Sequence, residues 1–147
     1  AGYKYNMTDI AAAIGLQQLR KASRFHTRRC ELAERYDQEL ARLPLVLPPR
    51  PLQASDHAWH FYVVRLRDEL EITRDEVLTR LHEEGIGCSV HYVPLHLHPF
   101  WRERYQFDPG AFPNSCKLYE RGFSLPIYSR MSDADQDRVI AALKAIF

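Results

Sequence analysis

Residues 8–42 constrain this chain more than any other stretch. Thr8 is placed to cap a helix, and Asp9 follows in the first turn, where a carboxylate suits the helix dipole. Helical character then continues to about Arg42, with Ile10 and Ile14, and later Leu32, Tyr36 and Leu40, at i, i+4 spacing. Pro44 stops it. Unbroken, such a helix would be about 50 Å long at 1.5 Å per residue, longer than a small domain is wide. Its first half, "DIAAAIGLQQL", is rich in alanine and apolar on more faces than a lone amphipathic helix needs. That half is expected to bury itself against something the rest of the chain does not supply. A helix hairpin broken near Ser23 is the alternative.

The chain of 147 residues fits one domain able to bury about two thirds of its unfolded surface. Lys plus Arg number 20 against 19 Asp plus Glu, a net charge near +1, so nothing electrostatic argues for nucleic acid or membrane binding. Arg20, Lys21, Arg24, Arg28 and Arg29 read as a solvated helix face. Cys30, Cys88 and Cys116 form no CxxC pair, which suits a reduced, cytoplasmic chain. No apolar run approaches the roughly 18 residues of a membrane span, and the start lacks a signal-peptide layout. A sequence that opens on "AGYKYNMTDI", without Met, is expected to be part of a longer protein.

Beyond Pro44, "PLVLPPRPLQ" reads as a Pro-rich connector. "HAWHFYVVRL", 57–66, is predicted to be a buried strand. "TRDE" at 73–76 is a capping box opening a helix that ends at Gly85. "IGCSVHYV" alternates: Ile86, Cys88, Val90 and Tyr92 take one face, Gly87, Ser89, His91 and Val93 the other. "FPNSCKLYERG" is predicted as a short helix closed by Gly122, and "FSLPIY" as a third strand. "SDAD" at 132–135 caps a last helix with Val139, Ile140 and Leu143 on its apolar side. The order predicts an α+β fold: a long leading helix, then a small, largely antiparallel sheet covered by helices.

The chemistry-bearing stretch is "GIGCSVHYVPLHLHPFW", 85–101, with His91, His96 and His98 beside Tyr92. Zinc accepts three histidines, but no acidic ligand lies nearby, and Pro94 and Pro99 already explain a bent loop. His96 and His98 also read as surface or packing residues. His91 projects from the polar face, toward solvent or a cleft. Cys88, on the apolar face, reads as a buried structural thiol rather than a nucleophile. Residue chemistry by itself stops at an α+β domain with a His/Tyr-lined rim.

Three blocks go further. "GYKYNMTDIAAAIGLQQL", "RRCELAERYDQEL" and the stretch from "GIGCSVHYVPLH" through "FPNSCKLYERGFSLPIYSRMSDADQDRVIAAL" resemble the C-terminal part of the DegT/DnrJ/EryC1/StrS aminotransferases, in order and spacing, over nearly the whole chain. The resemblance implies a pyridoxal 5'-phosphate enzyme of fold type I, a homodimer with active sites at the subunit boundary. It implies that residues 1–43 form a leading helix linking to a large cofactor-holding domain and contacting the second subunit. Residues 44–147 form the small C-terminal domain. The family's Schiff-base lysine would lie upstream, and Lys4, Lys21, Lys117 and Lys144 match no such position, so no catalytic residue is expected in this stretch. The resemblance further implies that Asn6 or Lys4 reaches the cofactor phosphate, a role a donor ahead of a helix N-terminus suits. His91 and Tyr92 would contact a keto-sugar linked to UDP or dTDP, and the loop through His96 would shape the cleft mouth. The implied reaction moves an amino group, from glutamate, in cell-envelope polysaccharide biosynthesis. The alternatives are a PLP-binding family member with a regulatory or dehydratase role, or a stand-alone interaction domain.

Overall fold

The computed structural model describes residues 2–50, 52, 53 and 57–147, with the backbone alone at Pro109. Pro51 of the Pro-rich connector lies outside the described residues. Helix α1 spans Asp9–Leu40, and its N-cap is Thr8, whose Oγ1 accepts from the Ala11 N–H at 3.3 Å. It runs unbroken through Ser23, so there is no hairpin. At 32 residues it is about 48 Å long. Its first half stands exposed, while Leu32, Ala33, Tyr36 and Leu40 are buried in the body of the domain.

Among the described residues the sheet has three antiparallel strands in the order β1 (Leu45–Val46), β2 (Tyr62–Leu66), β3 (Gly122–Leu125). Tyr62 faces Leu125, Val64 faces Phe123 and Leu66 faces Leu45. Directly opposed residues share a face, and all six are buried. The same core takes in Leu32, Tyr36 and Leu40 of α1, Val77 and Leu81 of α2 (Arg74–Glu83), and Val139, Ile140 and Leu143 of α5 (Asp133–Ile146). The other face carries Val63 opposite Ser124 and Arg65 opposite Gly122.

The helix ends follow local rules. Thr73 and Glu76 form a reciprocal capping box on α2, and Ser132 and Asp135 form one on α5. α2 stops in a Schellman motif: the Gly85 N–H donates to the His82 carbonyl and the Ile86 N–H to the Leu81 carbonyl, both at 2.9 Å. Gly85 sits at φ +71°, where a Cβ is disfavoured. Helix α4 (Pro113–Arg121) is capped by Gly122, where an added Cβ would lie 2.5 Å from the Leu118 carbonyl oxygen.

Several sequence expectations change, among them the third strand, which runs over Gly122–Leu125 rather than through Tyr128. The strand expected over 57–66 starts only at Tyr62, because Arg29 takes the carbonyls of Trp59 (2.6 Å) and His60 (3.2 Å) out of any ladder. The connector contains β1, paired to the outer edge of β2. The segment 86–93 makes a single bridge, Ser89 to Ser124, rather than a strand. The expected loop after it contains a 3-10 turn at Leu95–Leu97 and a short helix, α3, at Pro99–Tyr105. Nor are all five basic residues of α1 a solvated face. Arg20, Lys21 and Arg24 are exposed. Arg28 bonds the Met131 carbonyl (2.8 Å) and Asp133 (2.6 Å), clamping α1 to the start of α5, and Arg29 holds the turn before β2.

Candidate functional site

The face of the sheet turned away from the α1–α2–α5 core gathers the candidate residues. Ser124 is buried on β3, between the apolar Phe123 and Leu125. Its backbone is bridged both ways to Ser89: the Ser89 N–H donates to Ser124 at 3.3 Å and the Ser124 N–H to Ser89 at 2.8 Å. That bridge lays the chain after Gly85 along the edge of β3 and delivers His91 over Ser124. The His91 Nδ1 lies 2.9 Å from Ser124 Oγ. The Phe61 ring packs against the imidazole with centroids 4.2 Å apart and planes 30° from parallel. The His60 ring packs against Phe61 with centroids 4.2 Å apart and planes tilted by 54°.

The predicted alternation holds from Ile86 to Val90 and then ends. Ile86 is buried and Cys88 and Val90 half-buried, with Gly87 and Ser89 exposed between them. Burial pushes the Cys88 thiol up to about 12, as suits a structural thiol. Past Val90, His91 and Tyr92 do not take opposite faces. The peptide between them is cis, and their rings meet edge to face at 4.9 Å. His91 is half-buried, while Tyr92 is 72% exposed. The cluster thus has a fixed inner wall and a side open to solvent.

His96 sits elsewhere in the same loop. It is 6% exposed, stacks on Phe112 at 4.5 Å and places Nε2 3.2 Å from Cys116 Sγ on α4. These contacts tie the loop to α4 and the residue before it. Among the described residues, no three His, Cys, Asp or Glu side chains gather as a metal ion would require. His57 makes structural bonds: its Nδ1 accepts from the Trp59 N–H at 2.9 Å, and its carbonyl meets His26 Nε2 at 3.1 Å.

Lys4 and Asn6 lie on the exposed stretch ahead of α1. The first half-buried residue of that helix is Phe25, about 24 Å along its axis from Asp9, so both donors lie well beyond the packed part of the helix. An ammonium and an amide there form a donor set that fits a phosphate, although the Asp9 carboxylate stands close by in sequence. Lys117 and Lys144 are engaged in surface ion pairs with Asp68 and Glu39.

Sequence reasoning missed Ser124 and Phe61. The signal was present in both. Ser124 is the polar position of an otherwise apolar strand, and Phe61 has the opposite parity to Tyr62, Val64 and Leu66, so both belong on the face away from the core.

The comparisons agree on where such a fold belongs. The chain superposes on the PLP form of Spr1654 from Streptococcus pneumoniae with a TM-score of 0.85 and 28% identity, covering 99% of this chain and 37% of that one. Its PMP form gives a TM-score of 0.86. In sequence the chain is 45% identical to the uncharacterized protein MJ1066 of Methanocaldococcus jannaschii and 40% identical to SpsC of Bacillus subtilis, a spore coat polysaccharide biosynthesis protein. It is covered to 99% by each and spans 38% of each. The fold is therefore one found within PLP-dependent aminotransferases. The sequence model of the DegT/DnrJ/EryC1/StrS aminotransferase family matches residues 1–144, and the chain belongs to that family.

Proposed function

We propose that this chain is the C-terminal small domain, with its leading helix, of a nucleotide-sugar aminotransferase. Its keto-sugar substrate is carried on UDP or dTDP, and glutamate is the amino donor. The observation that carries this reading is the His91 cluster: an imidazole held from behind by Ser124 and Phe61, with an exposed tyrosine beside it. Such a rim offers hydrogen bonds to sugar hydroxyls and diphosphate oxygens, and the buried His96 keeps the loop in shape. The polysaccharide role in the name of SpsC supports a sugar substrate and a place in envelope polysaccharide synthesis.

In this reading Asn6 or Lys4 reaches the cofactor phosphate of a second subunit. Residues 1–43 reach toward the large domain and the dimer contact, and 44–147 close over the substrate. Pyridoxal phosphate, when bound, supplies the electron sink for moving the amino group. The lysine that anchors it is outside this stretch, which by itself holds no cofactor covalently. A reduced cytoplasmic setting goes with an enzyme of this kind.

The test is His91→Ala in the complete protein. A lost hydrogen bond to substrate is worth about 0.5–1.5 kcal/mol if neutral and about 1.5–3 if to a charged diphosphate. The expected result is a fall in kcat/KM of a few-fold to about a hundredfold. The melt should fall measurably, because Ser124 Oγ loses its partner at a cost of about 1–3 kcal/mol, but should stay cooperative because the core is untouched. Unchanged kinetics would remove His91 from the substrate site.

A further inference from the structure

We propose that Ser124 is a positioning residue: it selects, of the two tautomers of the His91 ring, the one with the proton on Nε2, so that the ring presents a donor to an oxygen of the bound substrate. The inference rests on the reading of His91 as a substrate contact, and it explains how that contact is aimed.

A histidine on an open loop rotates about its ring bond and exchanges between two tautomers, and only one of them offers a donor outward. Here three things remove that freedom. Ser124 is buried on β3, fixed through its ladder to Val63 and its double bridge to Ser89. One residue therefore anchors both the serine hydroxyl and the segment that carries His91. The Phe61 ring, 4.2 Å away, sets the plane of the imidazole. Within that plane, the 2.9 Å contact between Nδ1 and Ser124 Oγ sets which edge points inward.

The tautomer follows from accounting for protons. Among the described residues, His91 Nδ1 is the one hydrogen-bond partner of Ser124 Oγ. A buried hydroxyl spends its proton where an acceptor is available. If Nδ1 carried the ring proton, it would donate to Oγ and the serine proton would have no acceptor inside the fold. If Ser124 donates to Nδ1, the serine proton is satisfied and the ring proton sits on Nε2, at the outer edge. An outward N–H attracts a phosphate or hydroxyl oxygen, whereas an outward lone pair repels a phosphate oxygen.

The experiment uses the complete protein with 15N-labelled histidine, with His91 assigned from the signal missing in His91→Gln. Long-range 1H–15N correlation at a pH where the ring is neutral should show the Nε2–H pattern in the wild type and a mixture in Ser124→Ala. Ser124→Ala should raise KM for the sugar substrate roughly 3–10-fold with kcat retained, as expected for one neutral hydrogen bond. Ser124→Thr, which keeps the hydroxyl, should restore both the tautomer pattern and KM. An Nδ1–H ring in the wild type overturns the proposal, and does so even if the serine variants fold poorly. A Ser124→Ala protein with the wild-type spectrum and KM, or with lowered kcat and unchanged KM, also overturns it. The wild-type tautomer is read without substrate, so it stands or falls separately from the His91→Ala kinetics that test the site itself.

Discussion

Ile10 and Ile14, near the start of α1, leave 76% and 59% of their surface exposed, whereas Leu32, Tyr36 and Leu40, near its end, are buried. Both sets have the same i, i+4 spacing on the same continuous helix. What differs is the surface opposite. The later set meets α5 and the sheet, and Tyr36 packs on Tyr62 at 4.9 Å while its hydroxyl donates to the Pro126 carbonyl at 2.9 Å. Among the described residues, nothing covers the earlier set. Periodicity shows that a helix face needs cover, and it is silent on what provides the cover. Polar clamps mark the boundary between the two regions: Arg28 to α5 and Arg29 to the turn before β2.

Three substitutions probe that contrast. The largest effect belongs to the buried end. Leu32→Ala removes a fully packed side chain and should destabilise the fold by about 2–5 kcal/mol, read by denaturant unfolding. A loss below about 1 kcal/mol would mean that this end is not part of the cooperative core. At the exposed end, Ile14→Asp should move the unfolding midpoint by no more than about 0.5 kcal/mol. In the complete protein it should instead weaken subunit association, read by size exclusion with light scattering. An unchanged assembly would show that this half of α1 is not an association surface.

The smallest effect lies at the boundary. The hydrogen bond from Arg28, with its charge, holds the exposed Asp133 carboxyl below the ordinary aspartate range. A depressed folded value means that this stabilisation is present above the unfolded pKa of about 3.9 and is lost as pH falls through the lower folded value. Arg28→Ala should therefore be less stable than the wild type at neutral pH, with the difference narrowing in acid and in high salt. A difference that does not change with pH would assign the role of Arg28 to its bond with the Met131 carbonyl instead.

How legible the molecule was in its sequence depends on distance along the chain. The N-cap at Thr8, the capping boxes at Thr73/Glu76 and Ser132/Asp135 and the stop at Gly85 each involve groups within about five residues, and all appear where the local pattern places them. The course of β2 was half legible: its apolar pattern marked a strand, but its start was moved by Arg29, some thirty residues away. The candidate site shows the same divide. His91 and Tyr92 could be singled out as polar groups beside an alternating stretch, yet their mutual arrangement could not, because the alternation assumes a strand and this segment makes one bridge.

By itself, then, the sequence determined α1, α2, α4 and α5, with the caps that start α1, α2 and α5, and the antiparallel class of the sheet, since local hydrogen bonds and side-chain periodicity carry that information, and the order and spacing of its blocks determined the family. Only the tertiary structure decided which apolar stripe on α1 is covered, that His96 is buried under Phe112, and that His91 leans on Ser124, 33 positions away. Those outcomes depend on which surfaces meet across the sheet, and a contact between distant residues leaves no period in the chain to read.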